Sequence, residues 1–486
     1  MNLSEQLNDL IVSLSGFGPE IWLTISFLAV IVVELILSRH SASNTNTLYG
    51  ITLGVCIVAL LSVLRQWDTQ TDGFLFLELL FIDSKALFFK GLVSLAAIVM
   101  LLHGWVTHRK LAAEFFPLLI GMLLGLFLLT MAVNLLMVFL SIEVISIASY
   151  VMTALSQDRK SAEGGIKYAL FGTVSAAIML YGMSLLYGLT GTLQVVSPEF
   201  TRAISQADGI VVFVAVFLTM SGFLFKISAV PFHIWNPDVY ESAPTPVVSF
   251  FSVAPKAAAL LALIRLLSVV PTDIQQPLAL VSILSLVIGN FSALWQTNVK
   301  RLLAYSSIAQ AGFMLVGLVA FSEAGLKSTV FYVATYLFVS MAAFLLIDVL
   351  RPRQGATYQL DDYQGLGQSH PALAVLVIIV MIALVGLPLT VGFSAKLFVF
   401  SALWDTYQSQ HSTTLLVLLI FGLLNAAVSL FYYLRLPFVM IFREAENQSS
   451  APIVTLSQAV LLWSLVIPIV LLFFKADWVL TIIENL

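Results

Sequence analysis

Four ionisable residues sit where a charge is hard to hold. Lys226, Lys256 and Lys396 are ammonium groups inside apolar runs, and Glu143 is a carboxylate with about ten mostly apolar residues on either side. At the centre of a membrane helix each such charge costs roughly 2.5–3.5 kcal/mol, so the three lysines together cost roughly 8–10 kcal/mol. The chemistry that suits such groups is proton transfer. Burial makes an ammonium group give up its proton more readily. A carboxylate at about 7 Å, with an effective dielectric of about 20, interacts with it by roughly 2.4 kcal/mol. Making or breaking a Glu143–lysine contact would switch a buried lysine between holding and releasing its proton. His233, Lys167 and the polar residues Ser146, Ser306, Ser307 and Gln310 could extend these groups, through water, into a proton path.

Each of these residues also has a plain structural reading. Glu143 could form a static buried ion pair with a lysine. His233 could be a hydrogen-bonded polar residue with no further role. Lys167 follows Gly164 and Gly165 and could snorkel to an interface, and Lys90, near the start of a span, reads as a snorkelling residue. Glu34, and Asp348 beside Arg351, read as interfacial or paired charges.

Two stretches favour function. The first runs from Phe223 through Lys226 to Pro231, His233, Trp235, Asp238 and Glu241. An apolar helix reaches Lys226, and Pro231 follows where a helix interior would lose a hydrogen bond and clash. The second is Gly386-Leu-Pro-Leu-Thr-Val-Gly392, with Lys396 just beyond. Backbone opened in this way is tolerated in a membrane only where protein or a wet cavity covers it. Lysines at two such breaks, about 170 residues apart, point to a transport path.

The elements that must position these residues are helices. The 486-residue chain is 60% hydrophobic and 10% charged, with mean hydropathy +1.02. A soluble domain carries about 25% charged residues. The chain therefore reads as an all-α polytopic membrane protein of about fourteen spans: 21–37, 49–65, 86–106, 115–131, 133–155, 165–188, 209–229, 245–267, 277–296, 301–321, 327–349, 371–403, 413–436 and 457–475. The amphipathic stretch Phe74–Asp83 is expected to lie extended on the surface. Five spans over 115–267 match five over 277–436. Because five is odd, the second set is expected to be inverted, giving two inverted five-helix repeats, each with a broken helix. The expected divisions are 1–110 (helices 1–3), 111–270 (first repeat), 271–440 (second repeat) and 441–486 (last helix).

Loop charges orient the chain. One side carries Arg39, Arg109, Lys110, Arg159, Lys160, Lys300, Arg301, Arg351, Arg353 and Arg443, ten in all, against Arg65, Arg202, Arg265, Lys327 and Lys475, five, on the other. The richer side should be cytoplasmic, with both termini on the opposite face. The start of the chain is acidic rather than basic and reads as no signal peptide. A net charge of −4 gives no basic face for nucleic acid, and the lone Cys56 excludes disulfide frameworks and cysteine metal sites. There is no glycine-rich dinucleotide or phosphate loop and no His/Cys metal spacing. No NADH, flavin, haem or iron–sulfur site is expected on this chain. If it serves a redox enzyme, the redox centres are on other chains.

Several stretches carry a resemblance. Ser141-Ile-Glu-Val-Ile-Ser146, Ser161 to Tyr168, Phe225 to Pro246, Ala254-Pro-Lys256, Thr297 to Ser307, and Gly386-Leu-Pro388 with Gly392, Phe393 and Lys396 together resemble the antiporter-like proton-translocating subunits of bacterial NADH–quinone oxidoreductase, respiratory complex I. The resemblance covers nearly the whole chain and is nearest to the subunit N branch. It implies fourteen helices, a Glu143–Lys226 pair on helices five and seven, a central Lys256, a terminal Lys396 and a connecting Lys167. It also implies a bacterial inner-membrane location among other complex I subunits, including the neighbouring antiporter-like subunit, with NADH, flavin, iron–sulfur clusters and quinone on those partners. Lysine at 396 suits subunit N better than subunit M. A long lateral helix of the subunit L kind is not expected from this sequence. The chain departs from the pattern at Gln310, where many relatives have histidine, at Leu389, and at Ser394-Ala395. Two other readings stand beside this one: a subunit of a multi-chain sodium–proton antiporter, and a passive membrane scaffold that would tolerate joint apolar replacement of Glu143 and Lys226.

Overall fold

The structure is a computed structural model that describes residues 3–38, 45–69, 72–156, 158–351, 357–444 and 454–486. Arg39 and Arg353, counted above for orientation, lie outside the described residues. Twelve of the described helices are long and apolar enough to cross a membrane, and two shorter apolar helices, Phe115–Met131 and Pro371–Val385, accompany them. This is the expected set of about fourteen.

In chain order the elements are α1 (Leu3–Ser15), α2 (Gly18–Ser38), α3 (Thr45–Thr69), β1 (Gly73–Leu75), β2 (Leu80–Ile82), α4 (Ser84–Val106), α5 (Phe115–Met131), α6 (Leu135–Ala154), α7 (Arg159–Thr190), α8 (Pro198–Gln206), α9 (Gly209–Ile227), α10 (Asn236–Ser242), α11 (Thr245–Phe251) and α12 (Ala254–Leu267). There follow α13 (Gln275–Leu294), α14 (Val299–Val319), α15 (Glu323–Val349), α16 (Leu366–Ser369), α17 (Pro371–Val385), α18 (Val391–Gln410), α19 (Thr413–Tyr433), α20 (Arg435–Phe442), α21 (Leu456–Phe474) and α22 (Asp477–Glu484). The helices form two compact units. The first takes the chain to Ile227 and again from Ala254 to Ile274, and the second takes Ser228–Val253 and Gln275–Asn485. The chain changes unit at Ile227–Ser228, just after Lys226, and returns at Val253–Ala254, just before Lys256.

Helix starts follow short-range chemistry. An N-terminal turn has backbone N–H groups without partners, and a side-chain oxygen just before it can accept from them. Asp83 does this for α4 (to Ala86 N, 2.8 Å), Asn134 for α6 (to Leu136 N, 3.0 Å) and Asn298 for α14 (to Lys300 N, 2.9 Å). Asp158 and Ser161 close a reciprocal cap on α7, and Gly191, at φ +69°, ends that helix in the left-handed region.

In the first unit, α5 packs against α2, α4, α6 and α12. Two ion pairs fasten this unit. Arg265, in the last turn of α12, donates to Asp83 Oδ1 at 2.6 Å and to the Thr130 carbonyl at 3.1 Å. Lys90 of α4 reaches Glu20 Oε1 of α2 at 2.6 Å, with both side chains 0% exposed. The snorkelling expected of Lys90 is therefore corrected. Its partner lies 70 positions back, and only the packing of α4 against its neighbours reveals it. The stretch Phe74–Asp83 also differs from expectation. It is an antiparallel hairpin, Gly73–Leu75 against Leu80–Ile82, with Leu75, Leu80 and Ile82 buried. A lone extended strand would leave its ladder groups unpaired, and the hairpin satisfies them. The N-terminal α1 was not foreseen. It is tied to this hairpin by Ser13 Oγ, which accepts from Phe76 N, and by Asp9, which accepts from Leu77 N. In the second unit, α14 and α15 are almost wholly buried, and α14 packs against α10, α13, α15, α18 and α19.

Removing one member of a buried pair strands the other charge, at a cost of roughly 3–5 kcal/mol, whereas apolar replacement of both is often neutral. Lys90→Met is thus expected to destabilise the protein far more than Lys90→Met combined with Glu20→Leu. Thermal unfolding in detergent checks this, and a single variant as stable as the parent would remove the ion pair from the account.

Candidate functional site

Lys226 ends α9 with 2% exposure and its Nζ has no hydrogen-bond partner among the described residues. Three rings enclose it: Tyr150 of α6 at 5.8 Å, Tyr168 of α7 at 5.7 Å and its own neighbour Phe225 at 5.6 Å from the ring centroids. Cation–π contacts of this kind contribute about 0.5–2 kcal/mol each. They soften the burial of a cation without fixing its proton in a directed bond. Glu143 lies on α6 seven positions before Tyr150, hence on the same helix face. Its Oε1 is buried without a donor. The Glu143 and Lys226 charges act on each other, yet no ion pair joins them. Ser146 lies beside the Tyr150 hydroxyl and Ser149 beside that of Tyr168. Gly172 faces the Tyr150 ring so closely that any Cβ there would overlap its hydroxyl.

The backbone after Lys226 is irregular to Trp235, with Ser228 at φ +62°. Val230 N donates to Ser285 Oγ at 2.9 Å, which supplies one of the partners an open membrane helix needs. His233 is half-buried in this connection, and its Nδ1 is buried with no hydrogen-bond partner. Lys256 is 2% exposed in the first turn of α12. The span expected at 245–267 is interrupted at Ser252–Val253, so Lys256 also stands at a break. Pro255 was the available signal, since a proline fits the first turn of a helix and not its interior. Lys167 is elsewhere: its side chain is 40% exposed and pairs with Glu163 at 2.8 Å, one turn back on α7.

In the second unit the break between α17 and α18 is complete, and Leu389 in place of a second proline does not close it. Gly386 has φ +86° and Leu389 φ +75°. The N–H groups of Gly386 and Leu387 both donate to Ile382 O, Pro388 has no N–H to give Leu384 O, and the turn at Leu389 takes its N–H away from Val385 O, so neither the Leu384 nor the Val385 carbonyl has a backbone donor. Lys396 supplies them, with Nζ to Val385 O at 2.6 Å and to Leu384 O at 3.1 Å, and it lies 4.1 Å from the Phe313 ring centroid. An ammonium group at a helix C-terminus also meets the negative end of the helix dipole.

Around it lies a hydroxyl and amide network that the sequence did not single out beyond Ser306, Ser307 and Gln310. Gln310 Nε2 donates to Leu384 O at 2.9 Å and to Tyr433 Oη at 3.1 Å, while its Oε1 accepts from Tyr332. Ser306 bonds Tyr433, and Ser307 lies 3.3 Å from the Tyr240 hydroxyl and 3.4 Å from that of Tyr336. The tyrosines gave one signal only, that a hydroxyl in an apolar span needs a partner. Asp238 and Glu241 are structural here. Both accept from Arg301, at 2.7 and 2.9 Å, and Lys300 Nζ donates to the Glu241 and Ala243 carbonyls at 3.1 and 2.6 Å. Among the described residues no three of His, Cys, Asp and Glu gather as a metal-ligand set. Taken together, the groups can hold, release and pass protons.

Comparison with known proteins gives relatives over most of the chain. The family described as NADH:quinone oxidoreductase/Mrp antiporter, TM, matches residues 132–422. The NADH-quinone oxidoreductase subunit N 2 of Chloroherpeton thalassium is 36% identical over 467 residues, covering 92% of this chain and 89% of that one. A chain of respiratory complex I from Thermus thermophilus, solved with bound aureothin, is 30% identical, with a TM-score of 0.80 over 95% of this chain and 98% of that one. A chain of the Mrp complex from Dietzia sp. shares the fold at a TM-score of 0.83 and 18% identity, covering 96% of each chain. With its apolar spans, the chain is a multi-pass membrane protein.

Gly392, in the first turn of α18, lies directly on the Ala383 carbonyl of α17. Gly392→Ala must push α18 off α17, carrying Lys396 away from its carbonyls. The expected destabilisation is roughly 1–3 kcal/mol, with Gly188→Ala, which meets open space, close to neutral. Thermal unfolding of the two variants side by side decides it, and equal midpoints would count against the close crossing.

Proposed function

This chain belongs to the NADH:quinone oxidoreductase/Mrp antiporter family, and from that membership we propose that it is the subunit N type of proton-translocating subunit in the membrane arm of a bacterial NADH–quinone oxidoreductase. The observation that carries the reading is the Lys226 enclosure. A buried ammonium group with no hydrogen-bond acceptor, acted on by a carboxylate it does not touch, is poised rather than locked. A modest change in the Glu143–Lys226 separation would alter how firmly the lysine keeps its proton. Lys256 and Lys396, each at a helix break, and His233, with its unpartnered Nδ1, are the further proton-handling groups proposed here. Lys167, paired with Glu163 on an outward face, is proposed only as a connecting group at the edge of this set.

The energy for translocation comes from quinone reduction on other subunits, which also hold NADH, flavin and the iron–sulfur clusters. The neighbouring antiporter-like subunit is among the partners. The bacterial subunit N relatives support an inner-membrane location, and the lysine and arginine bias supports both termini on the non-cytoplasmic side. The breaks at Lys226 and Lys396 support two inverted repeats over 111–270 and 271–440. A sodium–proton antiporter subunit is the alternative. It shares the fold of the Mrp chain, but that likeness is at 18% identity, below the identity to the subunit N relatives.

Mild affinity purification of the chain from its own membranes should bring down NADH-oxidising activity with flavin and iron–sulfur absorbance. An eluate without redox centres that exchanges sodium for protons would replace this reading with the antiporter. In the intact complex, Lys226→Ala and Glu143→Ala should each lower proton pumping in vesicles at least about tenfold while NADH oxidation by an artificial acceptor stays within about twofold. Undiminished pumping in both variants would favour the scaffold.

A further inference from the structure

The Leu384 carbonyl is shared. It accepts from Lys396 Nζ at 3.1 Å and from Gln310 Nε2 at 2.9 Å. We propose that Gln310 is a positioning residue for proton release at Lys396: it competes with the ammonium group for this oxygen and keeps the oxygen satisfied when the lysine lets go. The inference rests on the proton-translocating reading of Lys396 given above.

The physical case has three parts. First, Leu384 and Val385 have lost their backbone donors to the break, and a buried carbonyl left without any donor costs roughly 1–3 kcal/mol. The neutral amine keeps two N–H groups but donates them far more weakly than the ammonium group, so if Lys396 alone served both carbonyls, losing its proton would leave both poorly satisfied. Gln310 covers Leu384 independently, so only Val385 depends on the lysine. Second, two N–H donors on one oxygen repel each other, so the amide weakens the hold of that oxygen on the ammonium group. Third, Gln310 cannot swing aside easily. Its Nε2 also donates to Tyr433, its Oε1 accepts from Tyr332, and the residue is buried. An amide is also a donor whose charge does not change with pH. Gln310 therefore acts as a fixed reference against which Lys396 titrates.

The groups that bear on Lys396 from the elements packed against α18 are few. α15 carries Tyr332 and Tyr336 along its length, with Lys327 paired to Glu323 at its start and Asp348 bonded by the Tyr358 hydroxyl at its end, and α19 carries Tyr433 and its neighbour Tyr432. α17 and α21 carry no charged residue. On α14 the cations Lys300 and Arg301 lie in the first turn, with Arg301 tied to Asp238 and Glu241. On α18 itself Asp405 lies nine positions beyond Lys396.

The test is the pH profile of proton pumping by the whole complex in proteoliposomes. Gln310→Met keeps the bulk and removes the amide, so the Leu384 oxygen serves Lys396 alone and the protonated lysine persists to higher pH. The alkaline limb should move up by roughly half to one pH unit. Gln310→Glu keeps the shape and the acceptor for Tyr332, removes the donor and adds a negative charge, so its shift should be larger in the same direction. It also carries the test if Gln310→Met fails to assemble. Lys396→Ala is the reference and should not pump. If Lys396→Ala is inactive but both Gln310 profiles superimpose on the parent, whatever their amplitude, the inference falls alone. If Lys396→Ala pumps normally, the functional reading of Lys396 falls and takes this inference with it.

Discussion

Backbone hydrogen bonding inside hydrocarbon constrains everything else in this protein. An unpaired N–H or C=O costs several kcal/mol there, and no water is at hand to repair it. A membrane helix that breaks must therefore bring its own partners. At the second break, Pro388 has no N–H and the chain turns away at Leu389, and Lys396 reaches back to the Leu384 and Val385 carbonyls this leaves. At the first break, Ser285 accepts from Val230 N. The interruption at Ser252–Val253 is bridged by side chains of the same kind, with Ser252 Oγ bonded to Ser249 O and to Ser340 Oγ. Each break is thus also a gathering of polar groups, which is why the ionisable residues lie there.

Five of the described cations are held in three different ways, and the differences sort them by role. Lys90 is closed tightly on Glu20, and Arg301 on Asp238 and Glu241. Such pairs fasten helices. Lys300 and Lys396 are solvated by carbonyls. These dipoles hold the ammonium form without neutralising it. Lys226 has neither arrangement. It is held by aromatic faces alone, with Glu143 acting at a distance. Among the three it loses least on giving up its proton, because no directed bond breaks. Sequence position separated Lys226, at a break, from Lys90, near the start of a span, but did not show that Lys90 is closed on Glu20.

Much of this was legible along the chain. The spans followed from runs of apolar residues. The lysines at 226 and 396 and the proline and glycine beside them announced the two breaks. Other features were not legible. Lys90 and Glu20 are 70 positions apart, and nothing local links them. Tyr150 and Tyr168 lie on different helices and meet only around Lys226. Asp238 and Glu241, which looked like part of the reactive stretch, turned out to serve Arg301. The hairpin at 73–82 looked like a single surface strand because its alternation is short, and its pairing depends on a turn the pattern does not display.

By itself the sequence determined that this is a helical membrane protein with lysines at broken helices, because hydropathy and helix breaking are local properties summed over neighbouring residues. Only the tertiary structure decided which of those charges are closed, solvated or left open. That choice is made through space, by which helix faces pack together, and a hydrogen bond or ion pair forms or fails over distances of an ångström that no pattern of residue types encodes.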